Sequence, residues 1–163
     1  MLLPILFCAA LIAVDQLSKY LSYTFLRPVG TIPLIAGVFS LTYVENVGAA
    51  FGILQGARWF LLAITVAVMA FIVYYYRKLP KEKPYNKARF ALLLISSGAL
   101  GNFIDRFRQG YVVDFFQAKF INFPVFNVAD SLVVVGVIFF AALYLFVFKE
   151  GAAAKRRVEP ESL

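Results

Sequence analysis

The sequence contains no histidine and one cysteine, Cys8, and only 15% of its 163 residues are charged. The missing histidine excludes Ser-His-Asp and Cys-His catalysis, histidine-ligated zinc and imidazole proton shuttles together. A single cysteine cannot close an internal disulfide or supply a thiolate cluster. Acid–base chemistry is therefore left to nine Asp and Glu, to Lys or Tyr, or to a bound ion. The scarcity of charge also excludes a water-soluble domain, which carries about 25% charged and roughly 45–50% apolar residues. Here 62% of residues are hydrophobic and the mean hydropathy is +0.80, more apolar side chain than so short a chain can bury away from water. With 18 Phe and 9 Tyr, disorder is excluded too. Most of this chain is solvated by lipid.

A spanning helix takes about 20 apolar residues, with a range of roughly 17–25, and four stretches qualify. Leu2–Leu21 is interrupted by Asp15 and Lys19, 59–76 has no charge, 90–104 is short and extended by its flanks, and 128–148 carries only Asp130. The first stretch lacks a basic leader, and Asp15 and Lys19 interrupt the place of a small-residue cleavage site, so a retained helix is expected. Six Lys and Arg lie in 77–89 and four in 149–163, against two in 23–58 and three in 105–127. The net charge of +7 thus reads as a topology signal rather than a nucleic-acid footprint, and it places both termini and the 77–89 link in the cytoplasm.

The expected fold is an all-α membrane protein of four transmembrane helices, with a small extracytoplasmic β element. One domain covers 1–150, with outer links at 23–58 and 105–127, and a solvated cytoplasmic tail covers 151–163. The β element is read from 38–44, where Phe39, Leu41 and Tyr43 alternate with Ser40 and Thr42. Gly30, Pro33 and Gly37 punctuate the segment before it.

Five acids stand apart from the cytoplasmic basic blocks: Asp15, Glu45, Asp105, Asp114 and Asp130. All fall outside the membrane or in its outer part. An ionised residue mid-helix costs about 2.5–3.5 kcal/mol on insertion scales, so each is expected to have a partner or a function. Asp15 has Lys19 one turn on, correctly ordered for an i,i+4 pair. Gly98, Gly101 and Asn102 before Asp105-Arg106 read as close helix packing with an interfacial ion pair. Asp130, opening a helix, reads first as a cap. Asp114, inside Val112-Val113-Asp114-Phe115-Phe116, has no local basic partner, and neither has Asp130. Two lone acids bordering one interface suggest a pair that shares a proton, one activating water while the other polarises a carbonyl. Such a pair hydrolyses amides with no cofactor and no metal.

The residues also carry a resemblance. Asp15-Gln16-Leu17-Ser18-Lys19, Asn46-Val47-Gly48-Ala49-Ala50-Phe51, Gly98 through Arg106, Val112-Val113-Asp114-Phe115 and Phe126-Asn127-Val128-Ala129-Asp130 closely resemble, in order, the motifs of bacterial lipoprotein signal peptidase, also called signal peptidase II. The resemblance implies a four-helix aspartyl endopeptidase of the bacterial cytoplasmic membrane. Its site would face the extracytoplasmic side, and it would remove signal peptides from prolipoproteins by cleaving before a diacylglyceryl-modified cysteine. The implied catalytic pair is Asp114 and Asp130. Asn46, Gly48, Asn102, Arg106, Asn127 and Ala129 would line or support the site, with Asp15, Lys19 and Asp105 nearby. Expected partners are diacylglyceryl-prolipoprotein and membrane lipid, with no nucleic acid, and the chain is expected to be a monomer and a target of the cyclic peptide globomycin. Ser97 stands where many members have glycine.

Phe51, Trp59, Phe115 and Phe116 are candidate acyl-chain contacts, although aromatics at this depth also form interface belts. The main rival is a small proton-coupled transporter, which would need acids near the midplane with access from both sides. A helix-pairing assembly factor leaves the two unpartnered aspartates unexplained.

Overall fold

In the computed structural model, residues 2–49, 52–121 and 123–148 are described. Among them, four α-helices and three strands follow in the order α1 (Leu2–Leu21), β1 (Thr31–Ile35), β2 (Phe39–Asn46), α2 (Arg58–Lys78), α3 (Lys83–Gln109), β3 (Val112–Ala118) and α4 (Val128–Leu143). α1 runs on into a π-helical turn, Ser22–Leu26, and α4 into another, Tyr144–Phe148. All four helices are long and apolar enough to cross a membrane. The tail expected at 151–163, and Phe51, lie outside the described residues.

The helix ends follow local chemistry. α2 stops because Leu79 precedes Pro80 and takes an extended ψ of 134°, the conformation that a following proline imposes. α3 stops at Gly110, whose φ of 88° is readily adopted only without a Cβ, and its N–H caps Arg106 O at 3.1 Å. α4 starts at Asn127 with a reciprocal capping box: the Asn127 side chain accepts from Asp130 N, and the Asp130 side chain accepts from Asn127 N.

The third span is longer than the sequence suggests, 27 residues rather than a short core at 90–104. α3 is the central helix, packed against α1, α2 and α4. Ser96, Ser97, Asn102 and Asp105 are buried against protein rather than lipid, so polarity does not end the helix at 104. The links expected from 23 and from 105 correspondingly start later, after Leu26 and after Gln109. The α3–α4 contact is close because small residues line it. A Cβ on Gly98 would fall onto the Ala129 carbonyl, and one on Gly136 would press on Ile95 and Ala91 O. Ala88, Ala91 and Ala129 are fully enclosed.

At one end of the bundle the strands form an antiparallel sheet ordered β1-β2-β3. The strand read at 38–44 is β2; β1 and β3 were not foreseen. Ser40 faces Gln117, Val44 faces Asp114 and Asn46 faces Val112, with an irregularity between Leu41 and Val44. One sheet face buries Val113 and Phe115 against Leu26. Phe115 is therefore core rather than an acyl contact, and only 4% exposed. Phe116 is enclosed by the rings of Phe39, Phe115 and Phe126, whereas Trp59 is 71% exposed. Phe126 pairs with Phe116 through bonds of 2.8 and 3.0 Å in both directions. That clip fixes Asn127 and the start of α4 beside β3.

Candidate active site

β3 alternates, so Val112 and Asp114 point away from the Leu26 core and into a cavity of about 590 Å³. Asn46 from β2, Asn102 and Arg106 from α3, and Asp130 from α4 line the same cavity. So do Val47, Ala49, Gly52 and Gln55 from the loop after β2, and Thr65 from α2. That loop is held by Arg106, whose Nη2 donates to Gly48 O at 2.8 Å. Gly48 must be glycine, because a Cβ there would sit 2.6 Å from Ile53 O.

The two aspartates are tied by asparagines. Asp114 Oδ2 accepts from Asn46 Nδ2 at 2.9 Å, and its Oδ1 from Asn127 Nδ2 at 2.6 Å. Asp130 Oδ1 accepts from Asn102 Nδ2 at 2.7 Å, and its Oδ2 from Asn127 N at 3.1 Å. Asn127 Nδ2 also reaches Asn102 Oδ1 at 3.2 Å, closing the circuit. Asp130 is thus both the helix cap expected of it and a cavity-lining acid. Asp114 is 2% exposed. Burial first, and the neighbouring Asp130 charge second, push its carboxyl up to about 7, against the opposing donors Asn46 and Asn127.

Behind the asparagines lies a buried ionic cluster. Lys19 Nζ is 2.9 Å from Asp15 Oδ2, 2.9 Å from Asp105 Oδ2 and 2.8 Å from Asn102 Oδ1. Asp15 Oδ1 accepts from Ala129 N at 2.9 Å, one of the free N–H groups in the first turn of α4. The i,i+4 pair of Asp15 and Lys19 is present as expected. The interfacial ion pair at Asp105 is present too, but its partner is Lys19 on α1, while the adjacent Arg106 turns to the cavity. All eleven residues singled out in the sequence gather here: five line the cavity, Gly48 and Ala129 contribute backbone groups, and Asn127, Asp15, Lys19 and Asp105 stand behind.

Gln16 was missed. Its Nε2 reaches Asp105 Oδ1 at 2.9 Å, and Asp15 Oδ2 and Gly101 O at 3.2 Å each; an amide beside Asp15 in an apolar helix was the available signal. Glu45, given no role from sequence, accepts from Tyr43 Oη at 3.0 Å and pairs with Arg27 at 3.4 Å at the exposed edge of the sheet.

The family model described as signal peptidase (SPase) II matches residues 7–146. A lipoprotein signal peptidase of Caldanaerobacter subterraneus is 49% identical over 150 residues, covering 91% of this chain and 99% of that protein. One from Brevibacillus brevis is 48% identical, covering 90% and 95%. A solved structure described as a bacterial membrane enzyme superposes with a TM-score of 0.81 at 33% identity, covering 99% of this chain and 96% of the other.

Proposed function

The chain belongs to the signal peptidase II family, and we propose that it removes signal peptides from diacylglyceryl-modified prolipoproteins with Asp114 and Asp130 as an aspartyl pair, cleaving before the lipidated cysteine. The observation that carries this reading is that a sheet aspartate and a helix-cap aspartate line one cavity and share Asn127. Membership of this family displaces the transporter alternative.

Each acid receives an N–H on both of its oxygens, so burial and the helix dipole, not the donors, set them apart. Asp130 alone sits at the positive end of the α4 dipole, which stabilises a carboxylate. Asp114, enclosed and beside that charge, keeps its proton up to about 7. Asp130 then takes a proton from water as the water oxygen attacks the scissile carbonyl carbon, while Asp114 gives its proton to the carbonyl oxygen. As the C–N bond breaks, Asp130 returns its proton to the departing amine and Asp114 recovers one from the tetrahedral diol. The cycle ends with both acids as they began.

The cavity's deep wall fits a lipidated substrate. Thr65, Ala99, Val133 and Val134 come from α2, α3 and α4, giving an apolar strip at membrane depth. α2 and α4 meet at the far end of the bundle, where Tyr75 and Phe140 pack edge to face with ring centres 5.9 Å apart, and the cavity lies between them nearer the sheet. The acyl chains enter there, on the extracytoplasmic side, with the basic 77–89 link in the cytoplasm. The test is cleavage of a diacylglyceryl-modified prolipoprotein by the purified protein in lipid. Asp114→Asn and Asp130→Asn should each abolish turnover while retaining fold and substrate binding; full activity in either variant overturns the pair.

A further inference from the structure

A second concave surface lies away from the active site, on α2. It is an open depression on this one helix, lined by Val66, Met69, Ala70, Val73, Tyr74, Arg77 and Lys78. Val66, Ala70, Val73 and Arg77 follow at spacings of four, three and four, so they form one line along the helix. The buried residues of α2 are Leu61, Leu62 and Ile72, and its packing partner is α3, so this line is turned away from the bundle. Ala70 makes the depression between larger neighbours.

Length and charge identify an occupant. At about 1.5 Å per residue, Val66 to Arg77 spans about 16 Å, which matches half of a hydrocarbon core of about 30 Å, the depth of one leaflet. The groove ends at two cations. Neither Arg77 nor Lys78 enters an ion pair among the described residues, and both are exposed. Lys78 Nζ lies 5.8 Å from the centre of the ring of Tyr74, which lines the same depression. An exposed apolar strip about one leaflet long, ending in two cations without an ion pair among the described residues, is complementary to a phospholipid with a net negative headgroup.

We propose that this face of α2 is a binding site for one anionic phospholipid of the leaflet at the end of the bundle opposite the sheet, with an acyl chain along Val66–Ala70–Val73 and the headgroup on Arg77 and Lys78. The site is separate from the aspartate cavity and does not depend on its chemistry.

The test is native mass spectrometry of the full chain titrated with phosphatidylglycerol or phosphatidylcholine of identical acyl chains. Phosphatidylglycerol should bind about tenfold more tightly. The double variant Arg77→Gln/Lys78→Gln should reduce it to the phosphatidylcholine level, and Ala70→Phe, which fills the depression, should weaken both lipids. Lys83→Gln/Lys87→Gln removes the same charge from exposed positions of the same basic stretch and should leave the preference intact. Equal affinity for the two lipids, an equal loss in the Lys83/Lys87 variant, or a dimer broken by Ala70→Phe in place of bound lipid would each overturn the proposal.

Discussion

Replacing Lys19 by methionine removes the one cation from a cluster in which Asp15 is 0% and Asp105 5% exposed. The carboxylate oxygens stand 2.9 Å from Nζ on both sides. With an effective dielectric constant of about 20, each contact is worth about 6 kcal/mol before desolvation. Most of that gain offsets the cost of burying the ammonium, so the net loss follows the usual cost of breaking a buried pair, about 3–5 kcal/mol. The loss falls chiefly on Asp105 Oδ2, because Asp15 keeps the Ala129 N–H and both acids keep Gln16. Lys19→Met combined with Asp15→Asn and Asp105→Asn leaves no buried charge there and should recover all but about 1–2 kcal/mol. The assay is unfolding by SDS in bicelles followed by circular dichroism, on the single and triple variants. A Lys19→Met loss below about 1 kcal/mol, or a triple variant no more stable than the single one, would refute the assignment of this cluster as a mutually dependent ionic unit.

Asp114, raised from 3.8 to about 7, binds a proton in the folded chain that the unfolded chain has already released. Wild-type stability should therefore fall as pH rises through that window, by on the order of 3–4 kcal/mol from this group, and Asp114→Asn should remove that part of the slope when unfolding is measured from about pH 4 to about pH 8. Cleavage by the wild type should decline above about pH 7, as Asp114 loses its proton. Asn102→Ala deprives Asp130 Oδ1 of its donor and Lys19 and Asn127 of an acceptor. It should cost about 1–3 kcal/mol in the same unfolding assay, with a larger loss of turnover. Gly98→Ala would drive a methyl into Ala129 O and the Val133 side chain; about 1–3 kcal/mol of destabilisation is expected by thermal unfolding.

What the sequence disclosed, and what it hid, follow from where side chains point. α2 is apolar throughout and faces lipid widely, so its span is legible. α3 is enclosed by three helices, so Asn102, Asp105 and Arg106 continue it where a count of charges would end it. β2 betrays itself through Ser40 and Thr42 because one of its faces is polar. β3 does not, because Val113 and Phe115 enter the Leu26 core while Val112 and Asp114 enter the cavity, and both faces are enclosed. Asp114 could be recognised as odd without being placed. The Asp105 partner was hidden for a geometric reason: neighbours in a helix diverge by about 100°, so Arg106 faces the cavity when Asp105 faces α1. Gln16 shows no period or charge of its own, and its role exists only once α1 and α3 are packed.

The use of three asparagines around the two aspartates has a physical basis. Each amide carries a donor and an acceptor and no charge, so it can pass an orientation from one buried group to the next without a further desolvation penalty. Asn102 accepts from Lys19 and donates to Asp130. Asn127 accepts from Asp130 N and donates to Asp114. Asn46 accepts from Gly48 N and donates to Asp114. A lysine or arginine in any of these positions would ion-pair with the nearer aspartate and favour its anion, against the proton sharing that the proposed mechanism needs. A leucine would leave a buried carboxylate oxygen bare. The amides hold both acids with neutral donors, and the permanent charge of Lys19 is kept one residue away, on Asp15 and Asp105.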